Sequence, residues 1–197
     1  MGSMNPRVAV EPPPTRSRVW LAVPLIVFAL VALTVGLVAH QTVQQPYPTP
    51  FFHLFFSDTL HMKVWLASAA LLLGFFQLLT AARIYEKLHF PPKGRFYNFV
   101  HRWSGRTAIV LTLPVAYHCI FLLGFDPSGT TSEPRVLIHS VLGSSIYGAF
   151  IGKVVIVRSK GFPSWALPVA GGILFTILLG LWLTSAAWFF SVHGIGI

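Results

Sequence analysis

Residues 136–157 read VLIHSVLGSSIYGAFIGKVVIV. At a rise of about 1.5 Å per residue, this apolar run is long enough to cross the roughly 30 Å hydrocarbon core of a bilayer as one helix. Two of its side chains can carry a positive charge, His139 near one end and Lys153 near the other. Ionisable groups are costly inside a span, so both are candidates for function.

Four more runs of similar length flank it, at residues 19–39, 60–82, 99–124 and 165–190. Of 197 residues 54% are hydrophobic and 10% charged, too apolar a balance for a water-soluble domain. The expected fold class is therefore all-α: an integral membrane helix bundle of five transmembrane helices, with residues 19–190 as a single transmembrane domain. The first run is longer than the apolar core of a signal peptide and is read as a helix. Residues 1–18 form an expected disordered tail, with an expression scar before Met4 and the run Pro12-Pro13-Pro14, and residues 191–197 a short outer tail.

Basic residues set the orientation. With the N-terminus cytoplasmic, the inner side holds Arg7, Arg16, Arg18, Arg83, Lys87, Lys93, Arg95, Arg102, Arg106, Lys153, Arg158 and Lys160, and the outer side only Lys63 and Arg135. This places the C-terminus outside and predicts a multi-pass protein of a bacterial cytoplasmic membrane. The same asymmetry accounts for a net charge of +9 through anionic lipid, so no nucleic-acid partner is expected. The aromatic run 51–56 reads as an interfacial segment, with Ser57 capping the second helix. Gly148 and Gly152, and Gly171, Gly172 and Gly180, read as close-packing faces, within the chain or between copies in a homo-oligomer.

Threading this topology places His61, His118 and His139 toward the outer face, within roughly 5 to 10 Å of one depth. Such a cluster is more than an interfacial background, although each ring can also simply satisfy a carbonyl. His40, His53 and His193 have no specific role in this reading. Cys119 is the one cysteine, so a metal or cofactor falls to histidine. Two imidazoles from facing helices hold a low-spin haem. In an up-and-down bundle His61 and His139 face each other on a diagonal, with His118 approaching from the side. Gly143, one turn below His139, leaves room for a flat macrocycle or for helix packing. Arg102 and Arg106 are candidates for haem propionates or lipid phosphates. The 17 residues between His101 and His118 turn the helix by about 260° net, and Pro114 between them can kink it. Lys153 falls about 40° off the face of His139.

The run His139-Ser140-Val141-Leu142-Gly143 resembles the His-Ser-x-x-Gly entrance to the fourth helix of cytochrome b561 proteins, and Leu60-His61-Met62 falls at the equivalent start of helix two. The resemblance implies that His61 and His139 share an outer haem. His101 matches that family's inner histidine, but its fifth-helix partner is absent, so one haem b is expected and no second, inner one. The run His101-Arg102-Trp103-Ser104-Gly105-Arg106 is also similar to an entrance in ferric-reductase-like membrane domains, which favours His118 with His139. The region, residues 58–160, resembles a bacterial family of five-span proteins as well.

The sequence reading is thus a b-type cytochrome that passes single electrons between a quinol or small reductant and an acceptor, as a membrane oxidoreductase or electron-transfer subunit with a quinone or redox protein as partner. Two alternatives stay open: a copper or zinc site made of His61, His118 and His139, and a haem-free accessory subunit of a larger membrane complex.

Overall fold

The computed structural model describes residues 20, 22–42, 53–89, 92, 94–124, 134–159 and 161–195. The five apolar runs form five helices: α1 Ala22–Gln41, α2 Thr59–Ile84, α3 Arg95–Leu123, α4 Pro134–Arg158 and α5 Ala166–His193. Their mean hydropathy lies between 1.6 and 2.7, and all are long and apolar enough to span a membrane. Among the described residues there is no strand. The expected tail 1–18 and residues 125–133, between α3 and α4, lie outside the described residues. The last helix runs to His193, so the first part of the expected outer tail is helical.

Lipid-facing and core-facing stripes follow from the sequence. On α1, Leu25, Leu30, Leu33 and Leu37 are each about 60% exposed or more, on a helix whose few buried residues include Pro24 and Ala39. Gly148 and Gly152 of α4 let α1 approach closely: a Cβ at Gly148 would lie 2.5 Å from the Phe28 carbonyl oxygen, and one at Gly152 3.1 Å from that of Pro24. The GxxxG step is therefore spent on an internal contact, which removes it as a face for a second copy. Gly180 receives Leu142 of α4, and Gly74 receives Leu178 and Phe175 of α5.

Neighbouring helices make an incomplete ring. Helix α2 packs on α3 and α5, α5 on α4, and α4 on α1. Helices α3 and α4 stand apart. The side chain of Thr112 on α3 meets the Tyr147 hydroxyl of α4 at 3.1 Å, and that hydroxyl also lies 3.2 Å from the Thr112 carbonyl. At the end of the bundle that contains His139, α1 closes the ring, because the Thr42 hydroxyl donates to the Ile120 carbonyl at 2.8 Å. Gly124, at φ +68°, turns the chain there under Ala39 and Thr42. Toward the other end, which contains Arg83, Arg95 and Arg158 and is called the basic end below, α1 lies on α4 alone and the ring is open between α3 and α4.

Two local features depart from the sequence reading. Asp58, not Ser57, caps α2: Oδ1 accepts from the backbone N–H of Leu60 at 2.7 Å and of His61 at 2.9 Å. A carboxylate satisfies two otherwise unpaired donors at once, which a serine hydroxyl one residue earlier does not. In addition, α3 ends in a π turn at Cys119–Leu123, and α5 is interrupted by another at Leu183–Ala187. Each shifts the helical phase and is often found beside a functional site.

Candidate functional site

The α3–α4 gap encloses a cavity of about 490 Å³, within the usual range for cofactor and small-molecule sites. Both π turns border it, through Cys119, Ile120 and Leu123 on α3 and Ser185 on α5. The wall is mostly apolar, with Val35 and Ala39 from α1, Ala67 from α2 and Leu178, Leu181 and Trp182 from α5. Its polar groups come chiefly from α4, namely His139, Ser140, Ser144 and Tyr147.

His139 is held in one orientation from behind. The Thr184 hydroxyl donates its single proton to the Gly180 carbonyl at 2.7 Å, and its oxygen lies 2.9 Å from His139 Nδ1. The hydroxyl therefore accepts from Nδ1–H, which leaves the lone pair on Nε2. The Leu181 carbonyl, which the Thr184 hydroxyl also approaches at 3.2 Å, is a second acceptor for the ring's N–H, and His139 lines the cavity. An imidazole whose other N–H is fixed by an oxygen is the usual arrangement of a metal-ligating histidine. Arg135, one turn earlier on α4, donates from Nη1 to the Thr184 carbonyl at 2.8 Å and stacks 4.0 Å over the Trp188 ring. Lys63 of α2 is near enough for its charge to act on both His139 and Cys119.

Gly143 also lines the cavity, where an added Cβ would meet only Leu181 Cδ2, at 3.9 Å. The other two histidines of the expected cluster are not on this wall. His61 bonds through Nδ1 to Asp58 Oδ2 at 2.6 Å and stands edge-on to Phe189, with ring centroids 5.3 Å apart. That places it on the α2 face toward the end of α5. The backbone N–H of His61, with the imidazole and the Leu60 N–H, holds the Asp58 carboxyl below its usual range, against a smaller opposing effect of burial. His118 is 1% exposed and off the wall, although the next residue, Cys119, is on it. Among the described residues no group of three His, Cys, Asp or Glu side chains could hold a metal ion.

Arg102 and Arg106 sit toward the basic end of α3, off the cavity wall, and both are exposed. Arg102 donates from Nε to the Asn98 carbonyl at 3.2 Å, and Arg106 lies 5.1 Å from the Trp103 ring. Thr184, Arg135 and the Tyr147–Thr112 pair had no distinguishing signal in the sequence except that Thr184-Ser185 is a polar pair inside an apolar span at the depth of His139.

His101 repeats the His139 arrangement at the basic end. Its Nδ1 lies 2.8 Å from the Thr80 hydroxyl of α2, whose proton goes to the Phe76 carbonyl at 2.9 Å. Gln77 Nε2 donates to the His101 carbonyl and to the Ser104 hydroxyl, both at 2.6 Å. Each end of the bundle thus holds one histidine on a threonine of the neighbouring antiparallel helix.

Searches of curated proteins and of solved structures gave no match to this chain. A family described as of unknown function, DUF6529, matches residues 19–197, which includes all five spans and both His–Thr pairs. The chain therefore belongs to the DUF6529 family.

Proposed function

We propose that this protein is a membrane haem protein, in which one haem b occupies the α3–α4 cavity with His139 Nε2 as its ligand and transfers single electrons between a quinol or small reductant and an acceptor. The observation that carries this reading is the His139–Thr184 hydrogen bond, which leaves Nε2 as a free lone pair in an apolar cavity. The residues present fit the group through one imidazole. Gly143 leaves space beside it, and Lys63 and Arg135 are cations at the same end for its carboxylates. Haem iron supplies one-electron chemistry, at a potential set by its ligands and surroundings. The chain's part is to fix the imidazole, exclude water with apolar walls and neutralise the periphery.

In this reading the N-terminus is cytoplasmic, the C-terminus is outside, and the cavity opens in the outer half of a bacterial plasma membrane. A three-imidazole copper or zinc site is the weaker alternative, because His61 and His118 do not share the cavity wall. Reduced-minus-oxidised spectra of the purified protein test the proposal. Haem absorption bands that vanish in His139→Ala are the expected result, and a colourless wild type or an unchanged His139→Ala spectrum overturns the proposal.

A further inference from the structure

Among the described residues, the basic end of the α3–α4 gap contains a cation without a counter-ion. Lys153 extends from α4 toward α5, where its Nζ lies 3.8 Å from the position a Cβ on Gly171 would take. Its charge reaches His101 of α3. None of the chain's five acidic residues, Glu11, Asp58, Glu86, Asp126 and Glu133, lies in a span. Among the described residues, Lys153 has no hydrogen bond or ion pair.

Both groups sit at one depth. Lys153 is five residues before the end of α4 and His101 six after the start of α3, about 8 to 9 Å inside the bundle. Among the described residues the ring of helices is open on this side, between α3 and α4. An ammonium in such a seam is stable when an anion joins it there, since an isolated buried charge is far costlier than a paired one.

We infer that Lys153 and His101 form a second ligand site, at the basic end of the α3–α4 seam, that takes the monoanionic phosphate head of an amphiphile arriving sideways from the bilayer. The Lys153 ammonium supplies the charge. His101, fixed through Nδ1 by Thr80, accepts at Nε2 from a hydroxyl of the head group, such as a glycerol hydroxyl of phosphatidylglycerol or the P–OH of phosphate itself. The open seam accommodates the acyl or apolar part. Gly172, where an added Cβ would meet nothing within 4 Å, leaves room on the α5 side.

The test uses the full chain in phosphatidylcholine nanodiscs, with phosphatidylglycerol titrated in and retained lipid counted by native mass spectrometry. Wild type should retain phosphatidylglycerol in preference to phosphatidylcholine, and Lys153→Gln and Lys153→Met should weaken that preference by about tenfold or more. Lys153→Arg should restore most of it. A parallel titration with inorganic phosphate separates the two sources. Lys153-dependent binding of phosphatidylglycerol alone assigns a lipid head group, and Lys153-dependent binding of phosphate assigns the same anion chemistry to a water-borne ligand. Equal retention of phosphatidylglycerol and equal phosphate binding in wild type and Lys153→Gln overturn the inference. Haem does not enter this readout, so its outcome and that of the His139 spectra are independent.

Discussion

Thr184 has one proton to give, and because it gives that proton to Gly180 it sets which nitrogen of His139 is free. Thr184→Val keeps the shape of the side chain but removes the acceptor. In the proposed reading, affinity for haem at His139 should then fall by about 10- to 100-fold, read as haem retained through purification, while Thr184→Ser retains it. Asp58 acts at the same scale. Replacing it by alanine should cost about 1 kcal/mol through loss of the α2 cap, measured by unfolding in mixed micelles. The carboxyl titrates lower in the folded protein than in the unfolded one, so its contribution is complete above the ordinary carboxylate range, near pH 4, and declines as pH falls through the folded value. Asp58→Asn should flatten that acid limb. His139 was legible in the sequence because an imidazole inside an apolar run is expensive. Thr184 was not, because a threonine in a span satisfies itself on the carbonyl four residues back, and only geometry reveals a second bond.

Among elements, the α1–α4 contact rests on the absence of two side chains. Gly148→Ala places a Cβ 2.5 Å from a backbone oxygen that has no flexible end to move, so it should cost about 1 to 3 kcal/mol; Gly152→Ala, at 3.1 Å, should cost less. Comparing the two by unfolding in mixed micelles checks the ranking, and a larger cost for Gly152→Ala would refute the packing described. The end of α2 offers the reverse case. Glu86 has φ 59°, while Lys87 N–H bonds back to the Ala82 carbonyl at 2.8 Å in a turn that glycine normally completes. Glu86→Gly should be more stable than Glu86→Ala by about 1 kcal/mol in the same assay, since both variants lose the interaction of the side chain and only alanine keeps the strain of the positive φ. Helix number and length were readable from run length alone. Partner choice was not: His61 was expected to face His139 across the core, but the Asp58 cap and Phe189 hold it toward α5. The two π turns, which change which residues of α3 and α5 face the cavity, leave no trace in hydropathy.

For the whole molecule, twelve basic residues on one side against two on the other fix an expectation about insertion. Reporter fusions should report the N-terminus in the cytoplasm and the C-terminus outside, and the opposite result would put His139 in the inner leaflet. The membrane class was plain from composition, whereas the gap between α3 and α4 depends on which helices touch, and span patterns do not encode that. The ring those helices make is closed at one end by Thr42 and Ile120 and open at the other. Such a seam faces acyl chains rather than bulk water. For any occupant that comes in through it, the effective dose is its mole fraction in the leaflet. Membrane composition, and not aqueous concentration, then governs how fast and how fully the bundle is loaded.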